Sequence, residues 1–167
     1  LYSPDGEGGF PGNIRVITDY RFNEDNELSV RHYAETDCAT YINMTNHAYF
    51  NLCGKGKKIT EHRLHIPADR ILDTTPAFIP TGKRMNVKNT PFDFTSLKPI
   101  GTDLYADHEQ LLWNKGYNHC YILKDEISVE MLEAASLYEP VTGRNMTVMT
   151  DLPAVLLYTA GYYERPD

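Results

Sequence analysis

The chain has 167 residues, of which 41% are hydrophobic and 23% charged, a composition that supports a buried core and excludes a disordered chain. Its net charge is −7, and its densest basic run, Lys55-Gly56-Lys57-Lys58, reads as a solvated turn, so the positive footprint of a nucleic-acid binder is missing. No apolar run reaches the ~18 residues of a membrane helix, which argues against a membrane partner.

The length predicts one domain. Three cysteines (Cys38, Cys53, Cys120) without CxxC spacing predict neither a zinc site nor a disulfide framework, and they favour a cytoplasmic setting. Twelve Tyr, 6 Phe and 1 Trp suit either a β-rich chain or a sugar-lined site, and composition does not choose between them.

The chain opens at Leu1, without an initiator Met or signal peptide, and Tyr2-Ser3-Pro4-Asp5-Gly6 reads as a loop inside a longer protein. From Ile14 to Phe22, Ile14, Val16, Tyr20 and Phe22 alternate with Arg15, Asp19 and Arg21, the period of a half-buried strand. Asn23-Glu24-Asp25-Asn26 supplies a four-residue turn, and Leu28, Val30 and Ala34 resume the alternation, so a hairpin is predicted. Further strands are predicted at 40–47, 61–66, 120–123, 131–138, 145–150 and 154–162, with loops at 74–82 and 89–94 and one short helix at 108–113. The pattern is all-β, a mainly antiparallel β-sandwich.

Two segments carry chemistry. In Asn43-Met44-Thr45-Asn46-His47-Ala48-Tyr49-Phe50-Asn51-Leu52, a continued strand would set Asn43, Thr45, His47 and Tyr49 on one face. An amide, a hydroxyl, an imidazole and a phenol there suit sugar hydroxyls. The same pattern fits a solvated face with a structural histidine. In Gly116-Tyr117-Asn118-His119-Cys120, Asn118 and His119 point to opposite faces, and His119 reads as structural. No HExxH, GxSxG, GxGxxG or Walker loop is present.

Several segments together resemble the aldose 1-epimerase (galactose mutarotase) family. Asp5-Gly6-Glu7-Gly8-Gly9-Phe10-Pro11-Gly12-Asn13 is similar to the family's "DGEEGYPGN", and Thr45-Asn46-His47-Ala48-Tyr49-Phe50-Asn51-Leu52 to its "TNHxYFNL". Ile79-Pro80-Thr81-Gly82 and Thr90-Pro91-Phe92-Asp93-Phe94 follow in the family order as "IPTG" and "TPFDF". Gly116-Tyr117-Asn118-His119 resembles "GYDHNF", and Thr142-Gly143-Arg144 falls at "SGR".

The resemblance implies a galactose mutarotase-like supersandwich, here incomplete at both ends, and a free aldose such as galactose or glucose as ligand, with neither metal nor organic cofactor. It implies acid–base ring opening, in which a carboxylate takes the anomeric proton while an imidazolium protonates the ring oxygen. The family's acid falls on His47, and its sugar-holding aspartate falls on Asn118. The family's base is a glutamate of a segment beyond Asp167, and an arginine and a second histidine come from a part before Leu1; Glu164 does not match the base's motif. The expectation for the 167 residues alone is therefore poor folding and no mutarotation, unless a self-partner or a further fragment covers the sheet edges. A non-catalytic carbohydrate-binding or structural β-sandwich derived from the family is the other reading. An epimerase for phosphorylated hexoses would need basic residues at the site, and none is placed for it.

Overall fold

The computed structural model describes residues 1–54, 57–126 and 129–163. Lys55 and Gly56 of the basic stretch, and Glu164, lie outside the described residues. Contacts divide the chain into two compact units, Leu1–Tyr49 and Phe50–Asp167.

The first unit is a three-stranded antiparallel sheet in the order β1-β2-β3, with β1 at Tyr2–Ser3, β2 at Ile14–Phe22 and β3 at Leu28–Thr36. The predicted hairpin is present, in register from Ile14↔Thr36 to Phe22↔Leu28. Its turn takes five residues rather than four, because the Asn23 N–H donates to the Glu27 carbonyl at 3.1 Å and draws Glu27 into the loop. The Asn23 side chain closes it by accepting the N–H groups of Asp25 at 3.1 Å and Glu27 at 2.9 Å. The apolar residues of β2 are not all inside: Val16 is buried, while Tyr20 and Phe22 are exposed.

The strand expected at 40–47 is absent: no residue from 37 to 50 has strand pairing. Short polar side chains bond the local backbone instead. Asn46 Oδ1 accepts the Ala48 N–H at 2.9 Å, and Thr36 Oγ1 accepts the Cys38 N–H at 3.3 Å. Such bonds offer the backbone an alternative to a ladder.

The "DGEGGFPGN" loop is locked onto the hairpin. Asp5 Oδ1 accepts the Gly12 N–H at 2.7 Å, while Asn13 donates through its N–H and its amide to the two Asp37 carboxylate oxygens, each at 2.7 Å. Gly12 has φ 86°, and a Cβ there would stand 2.8 Å from Cys38 Cβ and 2.9 Å from Thr36 Oγ1. Gly6 has φ 83° with nothing within 4 Å. Gly6→Ala is therefore expected to cost only the backbone term of about 1–2 kcal/mol, and Gly12→Ala more. Urea unfolding of the two variants checks this, and equal losses would count against the close approach at Gly12.

The second unit carries β4 (Arg63–His65), β5 (Arg70–Thr74), β6 (Pro80–Asn86), β7 (Lys98–Pro99), the helix α1 (Glu109–Asn114), β8 (Asn118–Ile122), β9 (Leu132–Tyr138), β10 (Asn145–Thr150) and β11 (Ala154–Tyr158). They form two four-stranded sheets, β10-β9-β4-β7 and β11-β8-β5-β6, with every pairing antiparallel. Leu64, Ala135 and Leu137 of one sheet share a core with Ile71 and Tyr121 of the other, as the inner faces of a sandwich do. No described helix is long and apolar enough to cross a membrane.

Predicted strands at 61–66, 120–123, 131–138 and 145–150 correspond to β4, β8, β9 and β10. The one expected at 154–162 stops at Tyr158, and Ala160 turns left-handed with φ 56°. The loop expected at 74–82 is shorter, since β6 already begins at Pro80. The helix is capped by His108, whose Nδ1 accepts the Gln110 N–H at 3.3 Å.

Candidate active site

His47 lies on the irregular segment after β3 and is exposed to solvent. Its ring packs beside Tyr49, with centroids 5.4 Å apart and planes tilted by 57°. The shared strand face expected for Asn43, Thr45, His47 and Tyr49 does not exist, because the segment is not a strand. What the segment offers is an imidazole open to proton exchange.

Asn118 is the first residue of β8, half-buried and in register with Tyr158 of β11. His47 belongs to the first unit and Asn118 to the second, and each is placed by its own surroundings. Burial alternates along β8, with His119 and Tyr121 buried and Asn118 and Cys120 half-buried, so Asn118 and His119 do face opposite ways.

His119 is a core residue. Its Nδ1 accepts the Asn118 N–H at 2.9 Å, which puts the ring proton on Nε2, and Nε2 is buried without a hydrogen-bond partner. Phe92 lies against it at 4.4 Å between centroids and meets His108 edge-on at 4.8 Å. Burial first, and the nearby His108 second, push the His119 pKa down to about 4. His119 is thus neutral near pH 7 and has no proton to give as an imidazolium.

The "TPFDF" and "IPTG" segments prove to be architectural. Phe92 and Phe94 are buried in the sandwich core, and the loop carrying them is tied down by its own carbonyls. Tyr121 donates its hydroxyl to the Phe92 carbonyl at 2.9 Å, Tyr117 to that of Pro91 at 3.0 Å, and Lys98 Nζ to the same Pro91 oxygen at 3.1 Å. Burial raises the pKa of both phenols, so they remain donors. Thr81 Oγ1 donates to Asp73 Oδ2 at 2.8 Å, and Asp73 Oδ1 accepts from the buried Gln110 at 2.6 Å, which binds the β5–β6 hairpin to α1. A cavity with a mostly apolar lining lies beside α1. It is about 240 Å3, and Leu104, Tyr105, Leu111 and Leu112 line it with one ammonium, Lys115.

Sequence reasoning passed over His62 and Glu139. Both are buried in the second unit: His62 accepts the N–H of Leu52, the last residue of the "TNHxYFNL" match, at 3.0 Å, and Glu139 accepts the N–H groups of Val141 and Thr142. A single histidine and a single glutamate carry no spacing signal, so only the packing reveals them.

Fold and candidate residues define a class: an antiparallel β protein bearing an exposed imidazole and a strand-end amide, groups suited to hydroxyl chemistry. The family model described as aldose 1-epimerase matches residues 1–165. The chain is 35% identical over 162 residues to the aldose 1-epimerase of Escherichia coli (strain K12), covering 97% of this chain and 46% of that protein. It is 35% identical over 163 residues to the galactose mutarotase of Rattus norvegicus, covering 97% of this chain and 45% of that protein. The crystal structure of galactose 1-epimerase from Lactobacillus acidophilus matches with a TM-score of 0.85 at 31% identity, over 98% of this chain and 46% of that one. The chain belongs to the aldose 1-epimerase family. It spans about half the length of the curated relatives it matches.

Proposed function

We propose that these residues serve the interconversion of α and β anomers of a free hexose such as galactose or glucose by acid–base ring opening. The observation that carries the reading is His47 in an intact Thr45-Asn46-His47-Ala48-Tyr49-Phe50-Asn51-Leu52 match within a chain of this family. His47 is assigned as the acid that protonates the ring oxygen. An imidazole carries an N–H that a positioned acid can deliver to the ring oxygen. Asn118 is assigned to a sugar hydroxyl. The base belongs, by resemblance, to family sequence C-terminal to the part matched here. All three cysteines are free, which supports the cytoplasmic reading.

Two experiments test this reading. Galactose titrated into the isotope-labelled 167-residue chain is expected to shift the resonances of His47 and Asn118, while the optical rotation of fresh α-galactose changes at the buffer rate. The same residues substituted for the matched region of the Escherichia coli relative are expected to restore turnover. Binding without turnover in that chimera would favour the second reading, a carbohydrate-binding sandwich, for which Asn118 in place of the family's aspartate speaks.

Asn118 also yields a prediction. A neutral hydrogen bond contributes about 0.5–1.5 kcal/mol and one to a charged group about 1.5–3. Asn118→Asp is therefore expected to lower the Kd for galactose by roughly fivefold, about 1 kcal/mol. A Kd that stays the same or rises by calorimetry would remove Asn118 from the site.

A further inference from the structure

Both backbone polar groups of Leu52 are held by side chains instead of a neighbouring strand. Its N–H donates to His62 Nε2 at 3.0 Å. Its carbonyl accepts from Arg144 at 2.9 Å and from Thr142 Oγ1 at 3.4 Å. Glu139, buried at the end of β9, shapes the turn that presents Thr142 and Arg144: its carboxylate accepts the N–H groups of Val141 at 3.1 Å and Thr142 at 2.6 Å. The Glu139 N–H in turn donates to the Arg144 carbonyl at 2.9 Å.

The bond from Leu52 dictates the state of His62. To accept, Nε2 must be bare, so the imidazole is neutral with its proton on Nδ1. An imidazolium would set N–H against N–H. Among the charged groups around the ring, Glu139 favours the imidazolium, and Arg144 reaches the same residue, Leu52, from the β9–β10 turn. Burial is the larger influence and lowers the His62 pKa from its ordinary value.

We propose that His62 and Arg144 form a pH-gated clamp on Leu52, with His62 as the positioning residue that fixes the Leu52 backbone within the second unit. The clamp holds the chain five residues beyond His47 in sequence. Its bearing on sugar chemistry rests on the reading of His47 as the acid; the clamp itself does not. A folded pKa lowered by burial keeps the clamp closed above the ordinary histidine range, and it opens as pH falls through the folded value.

The test is amide exchange by NMR in the 167-residue chain, taken as the ratio of the Leu52 rate to that of Tyr121 in the buried strand β8. The ratio cancels the intrinsic pH dependence of exchange, while any loss of global stability speeds Tyr121 and lowers the ratio, opposite to the change expected of the variants. It is expected to rise about tenfold in His62→Ala, the worth of one net hydrogen bond, and to return toward the parent in His62→Gln, whose Oε1 can accept the same N–H. Arg144→Met is expected to raise it as well. In the parent, which needs no variant to fold, the 15N shift of Nε2 should mark an acceptor at neutral pH, and that shift should change in acid as the Leu52 amide loses its protection. An unchanged ratio in His62→Ala, an equal rise in His62→Ala and His62→Gln, or a protonated Nε2 at neutral pH would each overturn the clamp. No sugar enters these readouts, so failure of the His47 reading leaves the clamp standing.

Discussion

Acidification from pH 7 to pH 4 is expected to remove about 3 kcal/mol of folding stability through His119 alone. The folded pKa is about 4, against 6.5 for an ordinary histidine, because the ring is fully buried against Phe92 and near His108. The unfolded chain binds a proton that the folded chain refuses. Stability from this group is thus fully present above about 6.5 and is lost as pH falls toward about 4. Urea unfolding at both pH values, on the parent and on His119→Gln, reads the effect. The parent should lose about 3 kcal/mol more than the variant. Four carboxylates held below their usual range (Asp37, Asp93, Asp125 and Glu139) also weaken the fold on acidification, but in both proteins alike. Equal losses in parent and variant would mean that His119 is not buried as a neutral ring.

In the chimera with the Escherichia coli relative, His47→Ala is expected to lower kcat by on the order of 10²–10⁴, the usual contribution of a positioned acid. KM should change less, since the proton is delivered in the transition state rather than on binding. His47→Gln should fall equally, because an amide can hydrogen-bond the ring oxygen but has no proton to transfer. Polarimetry of fresh α-galactose gives the rates. Equal rates for parent and variants would make His47 a structural residue.

Much of the sheet is legible before folding. The alternation of Ile14, Val16, Tyr20 and Phe22 and of Leu28, Val30 and Ala34 marks β2 and β3, and Asn23 marks their turn. The same alternation misleads at 40–47, where the side chains of Thr36 and Asn46 bond the backbone locally and no strand is made. The strands β5 and β6 are missed for the opposite reason. The edge strand β6 carries Lys83 and Arg84 and is almost wholly exposed, so it shows no apolar period.

The motifs by themselves determined the family, the all-β class and the candidacy of His47 and Asn118, because residue identity at fixed spacing is written in the chain. Only the tertiary structure decided what those motifs do locally. It turned "TPFDF" into a core plug held by the Tyr117 and Tyr121 hydroxyls, and it left His47 in solvent while burying His119 beside Asn118. It also brought His62 and Arg144 to the two sides of Leu52. The protonation state of a histidine follows from its burial and its neighbours, and for His62 these include Leu52, ten positions away in sequence, and Glu139, seventy-seven positions away.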